Sequence, residues 1–99
     1  MDSYIVCAGT NGRAVLYGQS EQPPVAGQPF SLQNCRMVLY WSAKCGGLLG
    51  LAARGPKTTT RITHAVPYHS DECARHVLGV TPEAAEKLSA WPNAGDKNG

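Results

Sequence analysis

The stretch Phe30–Gly47, FSLQNCRMVLYWSAKCGG, carries most of the architectural information in this chain. Phe30, Leu32 and Asn34 alternate with Ser31 and Gln33, the two-residue period of a half-buried strand. Met37 to Trp41 is then continuously apolar, so both faces of the strand must be covered at that end. The change of phase falls at Asn34-Cys35 and predicts a β-bulge there. Past it, the period puts Arg36, Val38 and Tyr40 on one face and Met37, Leu39 and Trp41 on the other. Lys44 to Gly47 reads as a turn into a short helix.

Working outward, Tyr4–Gly9 is short, apolar and β-branched, as strands are. Asn11-Gly12 tolerates positive φ and predicts a tight type I′ hairpin turn into a return strand, Arg13–Gln19. Pro23, Pro24, Gly27 and Pro29 break regular structure and predict a loop. Gly46–Ala53 has helical spacing of Leu48, Leu49 and Ala52, and Gly55-Pro56 ends it. Ile62–Val66 reads as a strand that Pro67 interrupts, and His76–Val80 as a last strand. Thr81 suits a helix N-cap and Pro82 the first helical position, with Ala84, Leu88 and Trp91 forming one apolar stripe before Pro92 stops the helix. The fold class expected is therefore α+β: a small curved antiparallel sheet or partly open barrel with a short connecting helix and a C-terminal helix. Residues 1–91 are expected to form a single globular domain and residues 92–99 a flexible polar tail.

The whole chain has 99 residues, and a domain of that size buries only ~60–65% of the surface its unfolded chain exposes, so self-association is an easy way to bury more. A homo-oligomer is accordingly expected. Net charge is only +2, with 16% of residues charged, which makes a nucleic-acid partner unlikely by field alone. No apolar run approaches the ~18–20 residues of a membrane span, and the acidic start MDSYIVCAG does not read as a signal peptide, so the expected location is the cytoplasm. Cys7, Cys35, Cys45 and Cys73 have no zinc or redox spacing; they read as reduced, mostly buried hydrophobes, and no metal or cofactor is expected.

The hairpin, QNCRMVLYW, LLGLAARG with PKTTTRITHAV, and ECARHVLGVTPEAAEKL together resemble a family of small uncharacterised proteins of bacteriophages and prophages. The resemblance runs from Met1 to Trp91 and centres on an Asn-x-Arg followed by an aromatic pair, here Asn34, Arg36, Tyr40 and Trp41. It differs at Lys44-Cys45-Gly46, where family members tend to have an aromatic or polar residue. The family has no assigned activity. What the resemblance implies is a setting: a viral protein in the host bacterial cytoplasm, of a size common among structural, nucleic-acid-binding and counter-defence proteins.

No nucleophile sits in a recognisable elbow, no carboxylates pair by spacing, and the histidines lack the repeat of a two-histidine phosphodiesterase, so the chain is expected not to be an enzyme. The remaining inventory suits a phosphorylated ligand. Lys44-Cys45-Gly46-Gly47 precedes a helix, and Gly55-Pro56-Lys57-Thr58-Thr59-Thr60-Arg61 offers cations and hydroxyls, though no Walker motif. Arg36 beside Tyr40 could pair a cation with a stacking ring. The expected contacts are Arg36, Tyr40, Trp41, Lys44, Arg54, Lys57, Thr58, Thr59 and Arg61, and the expected ligand is a cyclic nucleotide or cyclic ADP-ribose type of immune signal, sequestered rather than converted. The alternative is a structural or protein-partner module, an inhibitor of a host protein or a minor virion component. Weak single-strand nucleic-acid binding is a third reading, disfavoured by the small charge.

Overall fold

A computed structural model describes residues 1–9 and 12–94, the side chain of Cys45 apart. Strands β1 (Asp2–Ala8), β2 (Ala14–Ser20) and β3 (Phe30–Tyr40) form an antiparallel meander. A 3-10 turn at Ala43–Cys45 leads into helix α1 (Gly47–Arg54). Strands β4 (Arg61–Ile62), β5 (Val66–Asp71) and β6 (Ala74–Gly79) follow, and helix α2 (Pro82–Ala90) comes last. The sheet runs β4-β3-β2-β1-β6, with β5 also paired to β3. It is a six-stranded, antiparallel, open sheet carrying two helices, the small α+β fold that the sequence predicts.

Strand alternation divides the core into two clusters. Ile5, Cys7, Val15, Tyr17 and Val38 point to the face covered by Leu51 and Ala52 of α1 and Ala84 and Leu88 of α2. Tyr4, Val6, Ala8, Leu16, Phe30, Leu32, Cys35 and Ala74 gather on the opposite face. No helix contributes to this second cluster, yet its members are all buried. The loop between β2 and β3 helps to close it: the Gly27 N–H donates to the Ala74 carbonyl and the Ala74 N–H to the Gln28 carbonyl.

The predicted bulge is present. Tyr17 pairs with Arg36 but Gln19 with Gln33, so β3 has one more residue than β2 in this interval, and Asn34 takes a φ of 51°. That extra residue lets even-numbered Phe30 and Leu32 share the second cluster with odd-numbered Cys35. The backbones close up here. A Cβ on Gly18 would lie 2.8 Å from the Gln33 carbonyl oxygen and 2.8 Å from the Leu32 Cβ.

Three expectations need correction. The first hairpin closes on the pair Ala8–Ala14, so its connection is longer than the two-residue type; of the Asn11-Gly12 pair on which the turn reading rested, Gly12 takes a φ of 70°, and Asn11, like Thr10, lies outside the described residues. The strand expected over residues 62–66 is split. The Thr63 N–H donates to the Met37 carbonyl and the Thr63 hydroxyl accepts from the Met37 N–H, which ends β4 at Ile62. Pro67 does not interrupt a strand but sits inside β5, at the sheet edge, where a missing N–H is tolerated; its place in the register is opposite the bulged Asn34. Finally, the segment expected to begin the polar tail is docked at its start. Ile62 and Asn93 form a parallel bridge and the Ala94 N–H donates to the Ile62 carbonyl; residues 95–99 lie outside the described residues.

Among the described cysteines, Cys7 and Cys35 are buried and free, and Cys73 is partly exposed. Burial raises the Cys7 thiol and pushes Cys35 up from 9.0 to about 11. The unfolded chain therefore ionises Cys35 first, so this thiol leaves stability unchanged below about pH 9 and lowers it between pH 9 and about 11. Alkylation at pH 8 followed by peptide mapping should leave Cys7 and Cys35 unmodified in the native protein and label both after unfolding. A Gly18→Ala variant should lose about 1–3 kcal/mol in urea titration, because a methyl cannot be placed without moving backbone.

Candidate functional site

Arg36 sits on β3 beneath the end of α2 and is 3% exposed. Its Nε donates to the Thr63 carbonyl at 2.8 Å, Nη1 to the Leu88 and Ser89 carbonyls at 2.7 and 3.2 Å, and Nη2 to the Trp91 carbonyl at 2.7 Å and to Asn93 Oδ1 at 2.8 Å. A guanidinium has five N–H groups, and each here has an acceptor. Leu88 and Ser89 lie in the last turn of α2, whose carbonyls have no partner within the helix. The cation thus satisfies them and faces the negative end of the helix dipole. Burial lowers the Arg36 pKa while the neighbouring Tyr17 opposes the shift, and the ordinary value lies so far above neutrality that the group stays charged. Tyr17 ties the same helix further back: its hydroxyl donates to the Ala85 carbonyl at 3.0 Å and lies 2.8 Å from the Ser89 hydroxyl.

The segment held by Arg36 forms one wall of a surface cleft of about 500 Å³. Trp91 turns its indole toward the loop before β4, with Nε1 donating to the Thr60 carbonyl at 2.9 Å. That loop is a closed turn: the Thr60 N–H donates to the Lys57 carbonyl at 2.9 Å and the Lys57 N–H to Thr60 Oγ1 at 3.1 Å. Thr58 and Thr59 stand exposed at its tip. Tyr40 and Arg61 are cross-strand partners on β3 and β4, so their side chains leave the same face side by side. The cleft is lined by these residues with Pro92, Asn93 and Ala94. Among the described residues, the Arg61 side chain makes no ion pair or hydrogen bond. Two other clefts of 500 and 600 Å³, beside the start of α2 and along the proline loop, carry no lysine or arginine side chain among the described residues.

The structure sorts the expected contacts into two groups. Tyr40, Thr58, Thr59 and Arg61 are brought together on the cleft. Arg36 is corrected: β3 shifts register between Val38 and Tyr40, so Tyr40 leaves the face that Arg36 shares with Val38; α2 lies over Arg36, and four carbonyls with Asn93 Oδ1 saturate it, leaving no donor for a ligand. Trp41 follows the end of β3 and packs against the first core cluster, so its ring is packing. Lys44 is exposed on the 3-10 turn, Arg54 ends α1 near Gly46, and Lys57 starts the threonine turn; none of the three lines the cleft. Trp91 and Asn93 were missed. Trp91 falls in the apolar stripe of α2 and packs against the first core cluster as that stripe implies, but the chain leaves the helix at this residue in an extended conformation, which also places it on the cleft.

A family model described as a domain of unknown function (DUF6948) matches residues 3–88, and the chain belongs to that family. No curated protein and no solved structure matches it. The match includes Tyr40 and the turn from Lys57 to Arg61 and stops short of Trp91 and Asn93, so the far wall of the cleft is argued from this chain's own residues.

Removing the clamp should be costly. Arg36→Met should destabilise by about 3–5 kcal/mol, because several buried carbonyls lose a charged donor together. Hydrogen exchange should show the loss first at the end of α2 and at Ala94. Arg36→Lys should rescue only part of it, since an ammonium cannot reach all five acceptors.

Proposed function

We propose that the Tyr40–Arg61–Trp91 cleft binds a small phosphorylated ligand of the nucleotide type, and that the protein holds this ligand rather than converting it. What carries the reading is the juxtaposition of an unengaged guanidinium, Arg61, with an exposed ring, Tyr40, and two free-standing hydroxyls, Thr58 and Thr59. A guanidinium with hydroxyls is the usual inventory for phosphate oxygens, and an exposed ring stacks on any base. The volume lies within the ~300–1,000 Å³ of small-molecule sites.

The bacteriophage or prophage setting and a counter-defence role, sequestering a nucleotide immune signal in the host cytoplasm, belong to the same proposal and come from the family resemblance. Self-association is part of it too, although every residue lining the cleft comes from one copy. A second reading, a protein-partner module, is favoured by one observation: Val66 and Tyr68 of edge strand β5 are 47% and 67% exposed. Pull-down from bacterial lysate with a Val66→Ser, Tyr68→Ser variant as control separates it from the first.

Isothermal titration of the folded protein against cyclic mononucleotides and cyclic ADP-ribose isomers tests the main reading. At least one should bind, and Tyr40→Ala should weaken that ligand about 10-fold or more without changing the melting temperature, as expected for loss of one stacking contact. Protein heated after loading should release the nucleotide intact. Silence across the panel would sink the reading, and release of a converted product would turn it into an enzyme.

A further inference from the structure

We infer that the occupant of this cleft carries one phosphate and one flat ring, which narrows the ligand class to a mononucleotide; the inference rests on the reading above. The polar inventory sets the phosphate count. Among the described residues, Arg61 is the single lysine or arginine side chain of the lining, and one guanidinium forks onto one phosphate. Of the three threonines, Thr60 Oγ1 already accepts from the Lys57 N–H, leaving the hydroxyls of Thr58 and Thr59 for the same phosphate. The rest of the lining is tyrosine, tryptophan, proline, asparagine and alanine. Di- and triphosphates are ordinarily held by several cations, a metal ion or a run of backbone N–H groups, and the described residues of the lining offer no second cation.

The ring side is equally restricted. Trp91 Nε1, the indole's donor, is bonded to the Thr60 carbonyl and the side chain packs in part against the first core cluster, so Trp91 has no donor left to read a base edge. Tyr40, the cross-strand neighbour of Arg61, is the exposed ring of the lining. Recognition by ring surface tolerates any base and favours purines for their larger area. A ring and a phosphate together are therefore what the cleft distinguishes, more than the identity of the base.

The test is a titration of the full chain against adenosine, ribose 5-phosphate, AMP, ADP and ATP at fixed salt. Adenosine and ribose 5-phosphate should each bind at least 10-fold weaker than AMP, and ADP and ATP should bind no more than threefold tighter than AMP. Arg61→Gln, a change at an exposed position, should bring AMP down to the affinity of adenosine and leave adenosine unchanged, with circular dichroism reporting an intact fold. ATP binding more than threefold tighter than AMP overturns the single-phosphate inference while leaving nucleotide binding intact. Adenosine or ribose 5-phosphate binding as tightly as AMP also overturns it. If none of the five binds, this inference falls, and the function proposed above falls with it only if the cyclic mononucleotides and cyclic ADP-ribose isomers are silent too.

Discussion

The guanidinium of Arg36 is where the sheet and the C-terminal helix meet. Its five N–H groups reach acceptors on the stretch after β4, on the last turn of α2 and on the segment beyond it. Few side chains could occupy this place. It needs a planar fork with many donors, a charge that survives burial, and a stem long enough to cross from the strand to the helix axis. In turn, α2 supplies Ala84 and Leu88 to the first core cluster, so the covering of that face of the sheet depends on the helix being held at its end. Tyr17 assists from β2 through the Ala85 carbonyl.

The same anchorage defines the cleft. Trp91 and Asn93 are positioned because their polar atoms are engaged, one carbonyl and one side-chain oxygen, by Arg36. Two arginines thus divide the labour within a short distance along the sheet. Arg36 is buried and spent on four carbonyls and Asn93 Oδ1, while Arg61 is exposed beside Tyr40 and uncommitted. The cleft combines a wall that is fixed by internal bonding with a floor that keeps its polar groups available.

Local rules made much of the fold legible. The cap at Thr81 accepts from the Ala84 N–H as its residue type implies, and the phase change at Asn34 marked the bulge. Strand β5 was hidden because Pro67 reads as a breaker unless the strand is known to lie at an edge, and edges are fixed by the rest of the sheet. Periodicity placed Arg36 with Val38, but the register shift between Val38 and Tyr40 turns Tyr40 to the face of Arg61, and periodicity says nothing about what packs over a face. The helix covers Arg36 and leaves Tyr40 half exposed, and this difference turned the first into structure and kept the second as a candidate contact. Trp91 was legible as an aromatic but not as a wall, since its role follows from where the chain leaves α2. Thr58, Thr59 and Arg61 needed only their composition and their neighbourhood to be noticed.

Strand β5 has one more consequence, for how copies of the chain meet at high concentration. An open sheet ends in edges, and an exposed edge with apolar residues such as Val66 and Tyr68 would ordinarily template another strand. Pro67 lies between those two residues and contributes no N–H, and the bulged Asn34 lies opposite it in the register. An incoming strand would meet a broken ladder just where the apolar side chains would attract it. The residue that obscured β5 in the sequence therefore serves as a guard against runaway strand-by-strand polymerisation.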